Sequence, residues 1–145
     1  QVNKYVTFSE NGEDFWTSLD LDYSNGKTER GRIYYLDISY NTAKNPIYSV
    51  YTDETKTTWL GYYNSNQFQD TEITTYDNAA FTIIKEGFTI WSDLNFKAKV
   101  SQSVTGDVYT VNRKFYNFTN NAYYYELYKD GSLYGFINSD AAERK

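Results

Sequence analysis

The sequence predicts an all-β chain made of two small antiparallel units in tandem, and three observations carry that expectation. Landmarks of residues 1–75 recur over 76–145. Trp16 returns as Trp91, Leu19 as Leu94, Gly31 as Gly106 and Tyr34 as Tyr109, each 75 positions on. Further along, Tyr48-Ser49-Val50-Tyr51-Thr52-Asp53 aligns with Tyr125-Glu126-Leu127-Tyr128-Lys129-Asp130, and Trp59-Leu60-Gly61-Tyr62-Tyr63-Asn64 with Leu133-Tyr134-Gly135-Phe136-Ile137-Asn138. Landmarks kept in one order mark an internal repeat, because chance would scatter them. The second observation is composition: aromatics are 20% of the chain, with 17 Tyr, 9 Phe and 3 Trp, and such side chains suit a pleated, half-buried surface. The third is punctuation, in which short apolar runs alternate with turn residues and almost no helical period appears.

The elements follow in order. Tyr5 to Phe8 reads as a strand ended by the Glu10-Asn11-Gly12-Glu13 turn, and Phe15 to Asp22 as a second strand. Ser24-Asn25-Gly26-Lys27 then reads as a hairpin turn, since Asn-Gly supplies positive φ angles. Strands are expected at Gly31 to Ser39, Ile47 to Tyr51 and Thr58 to Tyr63, and again at Phe81 to Ile84, Thr89 to Leu94, Asp107 to Lys114, Ala122 to Tyr128 and Leu133 to Ile137. Lys129-Asp130-Gly131-Ser132 is a further turn, and Ser139 caps a single helical turn through Glu143. Five strands per unit suggest a small antiparallel barrel or sandwich, with units 1–75 and 76–145. A unit of this size folds without metal or disulfides but with a modest core.

Composition also removes whole function classes. The chain has no Cys, no His and no Met. A disulfide scaffold, a thiolate zinc site, an imidazole base and a Ser-His-Asp or Cys-His pair are therefore absent, and no catalytic residue, metal or cofactor is expected. A carboxylate pair could still serve glycoside hydrolysis. However, Asp20 and Asp22 become Asn95 and Lys97 in the second unit, which argues against an enzyme. Asp20-x-Asp22 looks like the start of a calcium loop, yet the twelfth position is Gly31 and supplies no carboxylate. The formal net charge is −5 and all of it falls on residues 1–75, where eleven carboxylates face six cations. A polyanion needs clustered cations to displace its counterions, so nucleic acid is not an expected partner. No run approaches a membrane span, so no membrane insertion is expected. Gln1 in place of an initiator Met is expected of a processed or excised segment, and a place in a larger multidomain protein is a separate expectation. Asn117-Phe118-Thr119 is a glycosylation triplet.

The pattern Tyr-Tyr-x-Leu-Tyr-x-Asp-Gly-x-x-x-Gly-Phe-Ile-Asn at Tyr124 to Asn138, with its echo Ile47-Tyr48-Ser49-Val50-Tyr51 and Gly61-Tyr62-Tyr63-Asn64, resembles the bacterial SH3-type repeats, including the GW-type modules. Those occur in surface proteins, autolysins and phage lysins of Gram-positive bacteria such as lactobacilli. The resemblance implies two tandem SH3-like barrels of five or six strands, secreted to the cell wall or surface or carried by a phage lysin. It also implies a non-catalytic role in binding a bacterial cell-wall polymer: glycan, peptidoglycan or teichoic acid. Gly61-Tyr62 and Gly135-Phe136 stand where the GW type has Gly-Trp, and many relatives are basic where this chain is acidic.

The residues lead to a binding module by a second route. Tyr123, Tyr124 and Tyr125 must alternate faces if they lie in one strand, so at least one ring turns outward. Outward tyrosines either pair across strands, each pair adding up to about 1 kcal/mol, or offer flat apolar faces to a ligand such as a sugar ring. Matching positions place an aromatic groove at Tyr34, Tyr40, Trp59 and Tyr62 in the first unit and at Tyr109, Phe115, Tyr134 and Phe136 in the second. Lys97, Lys99, Arg113 and Lys114 are candidate contacts for a polyanion. The negative net charge favours instead a neutral glycan that responds weakly to salt. A structural segment of a surface layer, or an adhesin that binds host glycans or itself, is the alternative role. Gly61 and Gly135 are expected where a backbone passes close by or a bulge forms.

Overall fold

The computed structural model describes residues 3–145. It is all-β and divides into two compact units, Gln1–Thr71 and Glu72–Lys145. The first holds β1 (Lys4–Phe8), β2 (Asp14–Trp16), β3 (Ser24–Lys27), β4 (Ile33–Tyr40), β5 (Pro46–Tyr51), β6 (Trp59–Tyr63) and β7 (Phe68–Asp70). The second holds β8 (Ile73–Ile83), β9 (Thr89–Trp91), β10 (Lys99–Gln102), β11 (Val108–Asn117), β12 (Ala122–Lys129), β13 (Ser132–Asn138) and β14 (Ala142–Arg144), with one 3-10 turn at Ser139–Ala141. Strand order is β3-β2-β6-β5-β4-β1-β7 in one sheet and β10-β9-β13-β12-β11-β8-β14 in the other. These orders correspond strand for strand, so the sequence repeat is a repeat of topology.

Several expectations change. The ladders are open, ending on β3 and β7 and on β10 and β14, so no strand pairing closes a barrel among the described residues. Among the described residues each unit has seven strands rather than five, because β3 pairs with β2 and β7 with β1 in the first, and β10 with β9 and β14 with β8 in the second, short strands that no periodicity announces. The unit boundary lies at Thr71/Glu72 rather than at 75/76, since Ile73, Thr74 and Thr75 already pair with Phe115, Lys114 and Arg113 of the second unit. Asn25-Gly26 lies inside β3, where Gly26 faces Phe15, and makes no turn. The 3-10 turn is capped by Asn138, whose side chain accepts from the Asp140 N–H, and not by Ser139.

The turn that displaces Asn25-Gly26 lies just upstream, and the chain builds it three times. After Trp16, Tyr51 and Trp91 the next residue donates its N–H six residues on: Thr17 to Tyr23 at 2.7 Å, Thr52 to Thr58 at 3.1 Å and Ser92 to Ala98 at 2.8 Å. Leu21, Lys56 and Phe96 take the left-handed conformation at φ 60°, 58° and 61°. A short side chain at the second position holds the loop: Asp53 accepts from the Thr55 N–H, Asp93 from those of Asn95 and Lys97, and Ser18 from that of Asp22. Such local acceptors stabilise turns and strand exits over regular structure. By contrast, Lys129 to Ser132 is the expected two-residue hairpin turn, with Asp130 at φ 52° and Gly131 at φ 80°.

Each sheet packs one face into its own core. Val6, Phe8, Phe15, Tyr34, Leu36, Val50 and Tyr63 form one, and Phe81, Ile83, Ile90, Tyr109, Val111, Leu127 and Ile137 are in the other. A buried hydroxyl clamps the first hairpin in each. Thr28 Oγ1 donates to the Glu10 carbonyl at 2.8 Å and accepts from the Glu13 N–H at 3.1 Å. Ser103 Oγ repeats this with the Lys85 carbonyl at 2.7 Å and the Phe88 N–H at 2.9 Å.

The glycine expectation holds in both units. A Cβ on Gly61 would lie 2.9 Å from the Trp16 carbonyl oxygen and 2.9 Å from Phe15 Cβ, and one on Gly135 would lie 2.7 Å from the Trp91 oxygen and 2.6 Å from Ile90 Cγ2. Both glycines adjoin a one-residue slip in register, opposite Val50/Tyr51 and opposite Leu127/Tyr128. Trp16 and Trp91 are accordingly equivalent: each is half-buried and pairs with the residue after the glycine, Tyr62 or Phe136. Gly61→Ala and Gly135→Ala should each cost about 1–3 kcal/mol by overpacking, with strain at φ 138° added for Gly61. Urea unfolding of the two variants measures this, and wild-type midpoints would show that the strands can part without cost.

Candidate functional site

The expected groove does not form as one surface. Tyr34 and Tyr109 lie in the cores, each 6% exposed. The Tyr34 ring packs 5.2 Å from Phe8 and 5.8 Å from Phe15, centroid to centroid. Tyr109 stacks on Tyr134 at 5.3 Å, and Tyr134 is half-buried against the second core. Phe115 and Phe136 are also buried, with rings 6.1 Å apart. None of these four buried rings can face a polymer. Tyr40 is exposed, but it sits opposite Pro46 at the far end of β4, on the same strand face as Tyr34 and Leu36. Trp59 and Tyr62 alone meet on an accessible surface, ring centroids 5.0 Å apart.

A bulge brings those two together. Tyr51 pairs with Trp59 while Val50 pairs with Gly61, so Leu60 is the extra residue of β6. That insertion lets residues three apart, which would alternate in a regular strand, share one face. The face continues across the sheet through Tyr51 on β5 and Tyr35 on β4, paired in register, and through Trp16 on β2, paired with Tyr62. Tyr35, Tyr51, Tyr62 and Trp16 are half-buried and Trp59 is 37% exposed. Three members, Trp16, Tyr35 and Tyr51, escaped the sequence reading. The signal was parity: once Tyr34 faces the core, Tyr35 must face away.

Charges on this face are paired within the chain. Lys56 Nζ lies 2.6 Å from Asp37 Oδ2 and 5.9 Å from the Tyr51 ring centroid, and Lys27 Nζ lies 2.6 Å from Asp14 Oδ1. The hydrogen bond to Asp37 raises the Lys56 pKa, and that from Lys27 lowers the Asp14 pKa.

The second unit differs at the same places. Its register puts Ala80, Thr110, Tyr128 and Leu133 in the row that Tyr5, Tyr35, Tyr51 and Trp59 form in the first. A bulge at Asn112-Arg113, both opposite Glu126, moves the rest of β11 by one residue. Tyr116 therefore corresponds to Tyr40, and Phe115 corresponds to Ser39, on the face that carries Phe136, where it is buried. Phe96 packs 5.2 Å from Trp91 and 5.0 Å from Tyr124, and Asn117 Nδ2 donates to the Leu94 carbonyl at 2.7 Å. Asn117 is fully buried, so in the folded chain its amide is not open to a glycosylating enzyme.

The four candidate cations do not make one patch. Lys97 and Lys99 lie at the entry to β10, while Arg113 and Lys114 lie on β11, with β9, β13 and β12 between in the ladder. Arg113 is committed to Glu126, Nε to Oε1 at 3.0 Å and Nη2 to Oε2 at 2.7 Å, and Glu126 is 2% exposed. Lys114 Nζ sits 4.6 Å from the Tyr123 ring centroid, beside Tyr116 and Phe118. Among the described residues, no group of three or more Asp and Glu is placed to hold a metal ion. No helix of the described residues is long and apolar enough to cross a membrane. Comparison with family models, curated proteins and solved structures gives no match to this chain.

Two expected outcomes separate scaffold from surface. Arg113→Ala leaves a buried carboxylate without its bidentate partner and should cost about 3–5 kcal/mol. Unfolding in urea measures it, and a loss below about 1 kcal/mol would return Arg113 to the list of ligand contacts. Burial raises the phenol pKa of Tyr34, and separately of Tyr109, from 10.0 to about 12. A group that the fold holds protonated contributes stability that is whole below pH 10 and is lost as pH rises towards 12. Melting temperature should therefore fall between about pH 10 and 12, and fall less in a Tyr34→Phe, Tyr109→Phe double variant. An equal fall in both proteins would refute that role.

Proposed function

We propose that this chain is a non-catalytic module that binds a repetitive polymer of the bacterial cell wall, in a protein exported to the cell wall or surface or in a phage lysin. The observation that carries the reading is the accessible pair Trp59 and Tyr62, held 5.0 Å apart by the Leu60 bulge on a rigid strand of a β unit that occurs twice. Aromatic rings fixed by a sheet lose little entropy on binding and offer flat apolar faces with polar edges, which suits sugar rings. The resemblance to bacterial SH3-type repeats agrees with this reading at Tyr124 to Asn138 and its first-unit echo.

Sedimentation with purified Gram-positive cell walls tests it. The chain should pellet with the walls and release no soluble sugar or peptide, and Trp59→Ala should weaken pelleting by about ten- to a hundredfold. Failure to pellet, or release of wall fragments, would overturn the reading.

A further inference from the structure

We infer, resting on the wall-binding reading above, that the ligand surface is the aromatic row of the first unit alone and that it takes an uncharged chain of β-1,4-linked pyranoses. Tyr35, Tyr51 and Trp59 stand in register on β4, β5 and β6, and Tyr62 and Trp16 extend the row onto β2. Neighbouring strands lie about 4.8 Å apart, so three strand spacings make a platform about 14 Å wide, more than one sugar ring. A β-1,4-linked pyranose chain with equatorial substituents is a flat ribbon whose two faces carry only C–H groups. Such a ribbon can lie across strands and touch successive rings.

The charges select the same class. Lys56 with Asp37 and Lys27 with Asp14 are internal pairs at 2.6 Å each, so this face has no cation surplus with which to hold a polyanion. The same carboxylates and amines offer acceptors and donors that sugar hydroxyls match. A polyproline segment, the competing occupant of an aromatic surface, brings no side-chain hydroxyls to them. In the second unit only Tyr128 of the row remains aromatic, since Ala80, Thr110 and Leu133 replace Tyr5, Tyr35 and Trp59, and the carboxylate of its Arg113–Glu126 pair is buried.

Titration calorimetry on the whole chain with the β-1,4-linked tetramer of N-acetylglucosamine decides it. The tetramer should bind, and Trp59→Ala and Tyr51→Leu should each weaken it by at least about tenfold. Leu133→Ala and Lys114→Ala should leave it unchanged, and raising salt from about 0.05 to 0.5 M should shift the affinity by less than about twofold. If Trp59→Ala loses its folded circular dichroism spectrum, Tyr62→Leu carries the same expectation. Walls that still pellet the chain while the tetramer does not bind would overturn this inference and spare the module reading, whereas loss of both would overturn both. Weakening by Lys114→Ala, release by salt, or displacement of the tetramer by a polyproline peptide would also overturn it.

Discussion

The arrangement depends on one close approach, the passage of β2 over Gly61 and of β9 over Gly135. A sheet can continue from the first hairpin into the β4-β5-β6 meander only if β2 lies beside β6. At that crossing the Trp16 oxygen would be 2.9 Å from a Cβ on Gly61, and the Trp91 oxygen 2.7 Å from one on Gly135. Only glycine admits such a contact. The approach also sets the bulge next to it, and the bulge decides which side chains of β6 and β13 point away from the core. Surface chemistry thus follows from a backbone constraint one or two residues away.

That constraint is common to both units, while the surface built on it is not. In the first unit the bulge turns Trp59 and Tyr62 to one side, where Tyr35 and Tyr51 lie in register. In the second, the same bulge carries Leu133 and Phe136, and an additional bulge at Asn112-Arg113 shifts Phe115 onto their face, against Phe136. The result is a small supplementary core in which Tyr124 pairs with Phe115, with the partly exposed Arg113 and the buried Glu126 beside it. At these matched positions one copy therefore packs its aromatics and the other keeps them accessible, a division that a duplicated scaffold permits.

The repeat, the all-β character and the role of the two glycines were legible in the sequence because each rests on local chemistry: strand propensity, turn residues and a conserved order of landmarks within the chain. The binding surface was less so. Matching positions cannot separate a core ring from an outward one, and Tyr34 and Tyr109 recur because both units need a large ring inside. Insertions of one residue at Leu60, Tyr134 and Asn112-Arg113 change the face of every residue that follows, yet leave no compositional mark. The strands β3, β7, β10 and β14 were missed for a related reason, since three or four residues at a sheet edge carry too little alternation to read. Asn25-Gly26 misled because a stronger turn, fixed by Ser18 and a left-handed Leu21, precedes it.

The central claim is that two equivalent scaffolds carry unequal surfaces, and residue-resolved NMR tests it most directly. With backbone amides assigned in the whole chain, the β-1,4-linked tetramer of N-acetylglucosamine is added and the shifted signals are mapped. The account predicts that shifts concentrate on Trp16, Tyr35, Tyr51, Trp59 and Tyr62, while Ala80, Thr110 and Leu133, which hold the corresponding row of the second unit, stay in place. Shifts of equal size in both rows, or confined to Tyr116 and Tyr123, would contradict it.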